Sequence, residues 1–478
     1  MGEGGRVVLV LQTITLLIAL MLASGGSSAP PAGRAYFAAP TGTAGGDGSE
    51  RRPWDLATAL AGGPRTGTRH VQPGDTIWLR GGTYRGAFRA TVAGQAGAPV
   101  VVRQLAGERA VIDGAGAKRT TLYVAGDYTV FWGFELTNSD TVRTTASADV
   151  ELRPNVVVNN ASHTKYINLI VHDGGVGFYN EPKSLDVEVS GCILFNNGWQ
   201  GPDRGHGHGL YLKAFIGPLV ARDNVIFNQY GYGIHAYTNA TTGKLMNITL
   251  EGNVSFDNGT LATRRSLSSN LLLGGADYAA GDVVRDNVTY YAPELTGAGS
   301  NVQIGYKTLR NGDVIVERNY VVGGSPALDF GYWTAARVSN NTLIRTEASS
   351  GSLIAKRDLG AVGQIWRDNV EHAAPAATKV IVRPNLYEQG RAHVTVVNWG
   401  KDRAATVDVS GVLAPGDRYE VRNVQDLFGA PVTSGTVSGS QISVPLRGVA
   451  APPPVGRATS PAPKTGPAFD VFVIVKKD

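Results

Sequence analysis

The chain has 478 residues, too many for one ordinary compact core, so we expect two domains or one elongated repeat domain with a smaller companion. Gly is abundant at 62 residues while charged residues make up only 17%, a balance that favours strands and turns over surface helices. The net charge of +5 is spread along the chain without a Lys/Arg block, which argues against nucleic-acid binding and is compatible with an acidic glycan as partner.

The N-terminus is typical of an export signal. Arg6 precedes an apolar run over 7–22, and the small residues 27–29 fit a cleavage site. The run is shorter than the about 20 residues that a membrane-spanning helix needs. The sequence therefore predicts a signal peptide over 1–29 and a secreted or periplasmic mature chain that begins near Pro30, with an uncleaved anchor as the alternative.

One pattern recurs from 128 to about 370: an apolar residue, two polar residues, Asn, then two or three strand formers. Successive copies are 22 to 34 residues apart. The Asn position is occupied by Asn168, Asn224, Asn253, Asn287, Asn319, Asn341 and Asn369, and by Cys192 in one copy. Cys192 is the only cysteine, so no intrachain disulfide supports the fold.

Such a period indicates a solenoid, because a coil of short strands cannot bury its apolar face alone and stacks on neighbours about 4.8 Å away. We expect about nine coils of parallel β-helix. The Asn side chains should line one edge, where Asn tolerates left-handed backbone angles and its amide bonds to the Asn above and below. Phe195, Phe227 and Phe256 share one position and should form an internal aromatic stack. An ordinary β-sandwich with Asn-rich turns is the alternative.

The stretch before the repeat carries further motifs. They are 36–42 (YFAAPTG), 46–49 (GDGS), 53–54 (PW), a short helix expected over 55–61, 71–84 (VQPGDTIWLRGGTY) and 110–114 (AVIDG). This stretch resembles the opening of the pectate-lyase-like right-handed parallel β-helix superfamily, which includes pectate lyases, alginate lyases and chondroitinase B. The resemblance covers about 36–370 and implies a right-handed β-helix with the helix as its N-terminal cap. It says little about chemistry, since the superfamily also holds hydrolases, epimerases and non-enzymatic proteins.

The pattern changes near residue 378. We predict a β-helix over 34–377 and a small β-sandwich over 378–478, with a Pro-rich insertion at 450–467. The strand candidates of this second domain are 392–397, 406–409, 419–422, 441–445 and 470–475.

Three consecutive coils begin a strand with Gly, and alternation along those strands predicts two outward rows of side chains. Phe178, Leu210 and Ile234 should face inward. The first outward row is then Tyr179, Tyr211 and His235, continued by Leu272, Gln303 and Asp329, and the second row is Glu181, Lys213 and Tyr237. Functional groups therefore become fewer toward the C-terminal coils.

The loop over 199–213 is rich in polar side chains, among them Asp203, Arg204, His206 and His208. The two histidines could share a metal ion if His172, Asp173 or His235 approached, or they could be structural residues bonded within the stack. Calcium is possible through Asp173, Glu181 and Asp203, but these carboxylates are scattered and match no family calcium motif.

The leading function is cleavage of an acidic extracellular polysaccharide by β-elimination, carried out by a monomer. This reaction needs a neutral base, cations and aromatic platforms for sugars. The candidate catalytic residues are Lys213, His235, Tyr211, His206 and His208, and the candidate substrate-binding residues are Arg204, Tyr179, Tyr237, Glu181 and Asp203.

Within that set, Lys213 is the first choice of base, His235 the second, and Tyr211 would return a proton to the leaving oxygen. A pKa of Lys213 lowered by burial or by Arg204 would suit the role. Two alternatives remain: a glycoside hydrolase that uses two of Asp173, Glu181 and Asp203, and a non-catalytic glycan-binding or surface protein.

Overall fold

The computed structural model describes residues 33–64, 70–148, 150–263, 268–293, 295, 299–306, 310–346, 352–358, 364–373, 375–449, 451–456 and 462–477. The signal peptide predicted over 1–29 lies outside these residues. In the described part of the chain, no helix has the length and apolar character required to cross a membrane.

Three long parallel sheets form the body of the molecule. The first sheet has twelve strands: Ala35–Ala38, Thr76–Leu79, Val100–Gln104, Thr129–Trp132, Thr164–Ile167, Val187–Ser190, Leu219–Arg222, Ile248–Glu251, Asp282–Arg285, Asn311–Glu317, Trp333–Ser339 and Gln364–Arg367. A second sheet, here called the covered sheet, has eleven: Gly82–Arg85, Ala110–Asp113, Glu135–Thr137, Ile170–His172, Ile193–Phe195, Val225–Phe227, Val254–Phe256, Val288–Tyr290, Tyr320–Val322, Thr342–Ile344 and Val370–His372. A third, here called the groove sheet, has ten: Phe88–Ala90, Leu122–Val124, Val157–Asn159, Phe178–Asn180, Leu210–Leu212, Ile234–Ala236, Leu271–Leu273, Val302–Ile304, Leu328–Gly331 and Ile354–Arg357.

The chain visits the three sheets in turn, so each circuit adds one coil to a right-handed parallel β-helix, as predicted. Sheets of ten to twelve strands exceed the about nine coils expected. The first coils were missed because the Asn marker of the repeat begins only further along the chain.

Antiparallel sheets follow the solenoid. One has five strands, in the order Lys379–Pro384, Arg391–Val397, Phe469–Lys477, Arg418–Asn423 and Thr433–Thr436, and the other pairs Ala404–Asp408 with Gln441–Pro445. A short 3-10 helix covers Val424–Asp426. Two small pairs lie within the solenoid, Trp199–Gln200 with Gly205–His206 and Leu245–Met246 with Ala279–Ala280. The predicted C-terminal β-structure is therefore present.

The single α-helix of the described residues, Leu56–Leu60, lies at the N-terminal end, as predicted for the cap. The side chain of Asp55 accepts a hydrogen bond from the backbone of Thr58 and so caps the first turn. The carbonyl of Leu60 accepts from the backbone of Thr91 and Val92, which ties the helix to the first strand of the groove sheet.

Six of the seven predicted Asn residues form a buried ladder. Each amide nitrogen donates to the side-chain oxygen of the next Asn, for example Asn253 to Asn287 at 3.0 Å and Asn287 to Asn319 at 2.9 Å. The ladder consists of Asn224, Asn253, Asn287, Asn319, Asn341 and Asn369. The backbone N–H of Cys192 donates to Asn224, so Cys192 occupies the same position one coil earlier.

The prediction for Asn168 was wrong. Ile167 is paired with Ser190 and Ile170 with Ile193, so Asn168 stands opposite Gly191, one residue before the ladder position. Its amide nitrogen donates to Glu388 of the C-terminal domain instead. The left-handed backbone also belongs to this preceding position and not to the ladder Asn: it is adopted by Asn168, Gly191, Asp223, Gly252, Asp286, Arg318, Asn340 and Asp368.

Phe195, Phe227 and Phe256 do stack, with ring centroids 5.2 and 5.0 Å apart. They are not internal, however, which corrects the expectation. Leu194 packs in the solenoid core, so its neighbour Phe195 points outward from the covered sheet. The row is buried because the C-terminal domain covers it, with Phe469 packed 5.1 Å from Phe256.

Candidate functional site

The groove sheet places the first predicted row in register across neighbouring coils. Tyr179 is paired with Tyr211, and Tyr211 with His235. The same register continues through Leu272, Gln303 and Asp329, the last of which forms an ion pair with Arg357. Phe178, Leu210 and Ile234 point into the solenoid core, as alternation requires.

Lys213 follows the strand Leu210–Leu212 and is only 3% exposed, whereas the sequence predicted an exposed lysine. Its amino group lies 3.2 Å from the hydroxyl of Tyr211 and 3.4 Å from both the Tyr237 carbonyl and the Thr242 hydroxyl. N–H···O hydrogen bonds are usually about 2.7–3.2 Å long, so the contact with Tyr211 is ordinary and the other two are long. Burial lowers the pKa of Lys213 to about 8, although the nearby Glu181 opposes the shift.

Glu181 and Tyr179 form the N-terminal flank of the site. Burial raises the pKa of Glu181, and the charge of Lys213 acts in the opposite direction. The ring of Tyr179 meets that of Tyr211 edge to face, at 5.3 Å between centroids. Tyr179 and Tyr211 of the first row are therefore in contact, and the amino group of Lys213 adjoins Tyr211.

His235 is 8% exposed and lies in a cluster of aromatic rings. It stacks on Tyr232 at 4.3 Å, on Tyr237 at 4.8 Å and on Tyr211 at 4.9 Å between centroids. Its Nδ1 atom lies 3.2 Å from Nε2 of His208. Burial, helped by the nearby charges of His208, Lys213 and Arg204, holds the pKa of His235 well below its usual range.

Three residues of this cluster escaped the sequence analysis: Tyr232, Thr242 and Tyr306. The predicted rows start from the Gly that begins each strand. Tyr232 directly precedes Gly233, so it was not included in either row. Thr242 lies in a turn after the strand and Tyr306 follows a later strand, where no periodic signal exists.

His206 and Asp203 form a separate pair in the hairpin of Trp199–Gln200 and Gly205–His206. Nε2 of His206 lies 2.8 Å from Asp203, its ring stacks on Trp199, and Arg204 also pairs with Asp203 at 3.1 Å. His206 and His208 therefore engage different partners, Asp203 and His235, instead of the shared metal ion that was considered as one possibility.

His172 and Asp173 lie on the covered sheet, away from the groove. Asp173 is bonded to His172, to the Arg143 guanidinium and, at 2.8 Å, to the backbone of Val455 in the Pro-rich segment. Asp173 and His172 are therefore separated from the groove-sheet residues with which they had been considered for calcium, for a His-based metal site or for hydrolysis. In the described parts of the chain, no three His, Cys, Asp or Glu side chains converge on a point that could hold a metal ion.

The comparisons with known proteins show similarity in fold only. No protein-family model matches the chain, and no curated protein matches its sequence significantly. Among solved structures, the chain is similar to pectate lyase Pel9A (20% identity, TM-score 0.41, 64% of this chain and 78% of that one) and to a rhamnogalacturonan lyase (15%, TM-score 0.47, 70% and 87%). It is also similar to the GH136 lacto-N-biosidase from Eubacterium ramulus (14%, TM-score 0.44, 71% and 68%). By its own sheet topology, the chain is a right-handed parallel β-helix.

Proposed function

We propose that this protein is a polysaccharide lyase that cleaves an acidic glycan by β-elimination on the groove sheet. The observation that carries the proposal is the contact between Lys213 and Tyr211. A lysine with a pKa of about 8 lies 3.2 Å from a phenol whose pKa burial raises to about 12. One group can therefore accept a proton near neutral pH while the other still holds one.

This pair can complete a catalytic cycle by itself. The neutral amine of Lys213 takes the proton next to the uronate carboxylate, and the bond to the leaving glycosidic oxygen breaks as the sugar double bond forms. That oxygen takes its electron pair and receives the proton of Tyr211. The Lys213 ammonium then returns a proton to the Tyr211 phenolate across their hydrogen bond, which restores both groups.

The surrounding side chains suit an anionic sugar chain. The aromatic rings of Tyr179, Tyr232 and Tyr237 offer faces and edges for sugar rings. Arg204 is close enough to contribute positive charge at His235. The two long contacts of Lys213, to the Tyr237 carbonyl and the Thr242 hydroxyl, are the ones that a substrate could replace.

The test is a panel of uronate and neutral polysaccharides, followed at once by the absorbance of unsaturated uronates and by release of reducing ends. A lyase gives both signals, and its kcat/KM should rise with pH through about 8 as Lys213 loses its proton. New reducing ends without absorbance would refute elimination, and neither signal would favour a glycan-binding protein.

Glycoside hydrolysis is the second candidate because the raised pKa of Glu181 suits a general acid. It is the weaker one, since Asp173 lies on the other sheet and Asp203 is paired with His206 and Arg204. Glu181→Gln distinguishes the two: a hydrolase would lose activity by orders of magnitude, whereas the lyase keeps Lys213 and Tyr211 and should lose much less.

We also propose that the protein acts outside the cytoplasm, as the predicted leader over 1–29 implies. N-terminal sequencing of the exported protein should return Pro30 or a close neighbour. Recovery of Met1 or Gly2 would contradict cleavage.

A further inference from the structure

We infer that His208 is a positioning residue that fixes His235 as a neutral hydrogen-bond donor, and that the Nε2–H of His235 binds the carboxylate of a uronate sugar. The identity of the ligand rests on the proposed function. The positions of the protons on the two imidazole rings are argued from geometry and do not depend on the ligand. An experiment can therefore refute the ligand without refuting the proton positions.

The positions of the protons on the His208 and His235 rings follow from one backbone N–H group, that of Tyr232. The N–H of Tyr232 can only donate, and it lies 3.1 Å from Nδ1 of His208, so that atom must be an acceptor. A neutral His208 therefore carries its proton on Nε2 and donates it to Nδ1 of His235 at 3.2 Å. His235 in turn must carry its own proton on Nε2.

Gly231 makes this approach of the backbone possible. A Cβ atom at residue 231 would lie 2.2 Å from the carbonyl oxygen of Gly207 and 2.9 Å from Nδ1 of His208, so it would displace both the backbone and the ring that meets the Tyr232 N–H. The relay is therefore built into the turn that precedes the strand Ile234–Ala236.

The surroundings keep both rings neutral. Burial, with Arg204, His206 and Lys213 adding positive charge, lowers the pKa of His208 to about 3. Burial, with Lys213 and Arg204 adding positive charge, also lowers the pKa of His235, whose other neighbours are the phenol rings of Tyr211, Tyr232 and Tyr237. No carboxylate of a described residue forms a hydrogen bond with either ring, so nothing offsets the cost of a charge there.

The Nε2–H of His235 makes no hydrogen bond to any described residue, although the ring is nearly buried. The flanking Tyr232 and Tyr211 rings prevent it from turning to find another acceptor. A carboxylate oxygen of the substrate would be a suitable acceptor for this donor.

This arrangement excludes His235 as the base considered from sequence. Its outward nitrogen has no lone pair, and the lone pair of Nδ1 is bound to His208. A fixed donor matches a carboxylate, and its bond strengthens when elimination spreads negative charge onto that group.

The first test is nitrogen-15 NMR of labelled full-length protein, which shows which imidazole nitrogens carry a proton. His208 and His235 should both show a bare Nδ1 and a protonated Nε2 from pH 5 to pH 8. His172 should be doubly protonated at pH 7 in the same spectrum, because it lies between two carboxylates. Replacement of each histidine by Gln assigns the signals. A doubly protonated His235, or one with its proton on Nδ1, would overturn the relay.

The second test separates positioning from bulk structure. His208→Gln keeps an acceptor for the Tyr232 N–H and a donor for His235, so kcat/KM should stay within about tenfold of wild type. His208→Leu removes both and should lose about 100-fold or more, with the rate measured at a temperature at which calorimetry shows the variant to be folded. Equal losses in the two variants would show that only the shape of the His208 side chain matters.

The third test addresses the ligand directly, by titration with trisaccharides of galacturonate, mannuronate and guluronate and with their carboxyl-reduced forms. His235→Phe should weaken binding of the uronate form at least tenfold and leave the reduced form unchanged. Equal uronate affinity in wild type and variant would refute the assignment of the donor. Failure of wild type to bind any uronate would refute both the ligand and the proposed function, while the NMR result would still decide the relay.

Discussion

The groove sheet and the covered sheet each carry an outward row of aromatic side chains, and the two rows differ in what lies over them. On the covered sheet the row is Phe195, Phe227 and Phe256, and the C-terminal domain closes over it through Phe469. On the groove sheet the row has hydroxyl and imidazole groups, and Tyr211 remains partly exposed. The same alternation of strands produces a covered apolar row in one case and a partly exposed row with polar groups in the other.

Each row also holds a histidine, and the two have opposite charge states. Burial alone would lower the pKa of His172, but its hydrogen bonds to Asp173 and Glu135 raise it to about 9. His235 is buried among cations without a carboxylate partner, so its pKa falls. Neighbouring charge, and not burial as such, decides whether a histidine on this scaffold is a structural cation or a neutral donor.

The largest effect is expected at Lys213, where the groove row carries its proposed chemistry. Lys213→Met keeps the buried stem but removes the amine, so cleavage should fall by about 10²–10⁴-fold. Lys165→Met is the matched control, since Lys165 pairs with Glu188 on the first sheet, away from the groove. The cleavage rate and the thermal unfolding temperature of both variants are measured. A Lys213→Met protein that stays folded and active would refute the proposed role of Lys213 and of the groove sheet.

The next effect concerns the stability of the covered row. Phe227 is 2% exposed between Phe195 and Phe256, so Phe227→Ala should lower the free energy of unfolding by about 3–5 kcal/mol. Phe215→Ala, at a ring that is 43% exposed, should cost far less. Denaturant titration measures both, and similar costs would mean that the C-terminal domain contributes little by covering the row.

His172 and His235 should make the free energy of unfolding depend on pH in opposite directions. The pKa of His172 is raised from 6.5 to about 9, so its contribution is complete below about pH 6.5 and is lost as the pH rises through 9. His172→Gln should therefore cost on the order of 2–3 kcal/mol at pH 6 and much less at pH 10.

The pKa of His235 is lowered, so its contribution to the free energy of unfolding is present above pH 6.5 and is lost as the pH falls. His235→Gln should accordingly flatten the acid side of the stability profile, and parallel profiles for the two variants would contradict the difference in charge state.

Several of these features were predictable from sequence because they repeat. The Asn ladder and the outward row of Tyr179, Tyr211 and His235 have a fixed phase, and stacked parallel strands carry that phase into space. Asn168 shows the limit of this reasoning, since a shift of one residue moves an Asn from the ladder to the bend before it.

Other features depend on contacts between distant segments, which no local pattern encodes. Phe227 points outward but is buried, because residues more than 200 positions later cover it. Lys213 was expected to be exposed, yet the turn that holds Thr242 packs against its amino group. The charge state of His172 likewise depends on Glu135, which is 37 residues away in sequence.

The smallest effect on stability should come from Tyr179, the counterpart of Phe227 on the groove sheet. Its ring is partly exposed, and its hydroxyl forms no hydrogen bond with a described residue. Tyr179→Phe should therefore leave the free energy of unfolding within about 0.5 kcal/mol of wild type, and Tyr179→Ala should cost about 1 kcal/mol through the lost edge-to-face contact with Tyr211. If the ring supports a sugar, Tyr179→Ala should raise KM several-fold with little change in kcat, while Tyr179→Phe keeps the aromatic surface and KM stays close to wild type. Calorimetry and steady-state kinetics on the two variants measure these effects, and a loss of stability as large as that of Phe227→Ala would show that the groove row is a structural stack like the covered one.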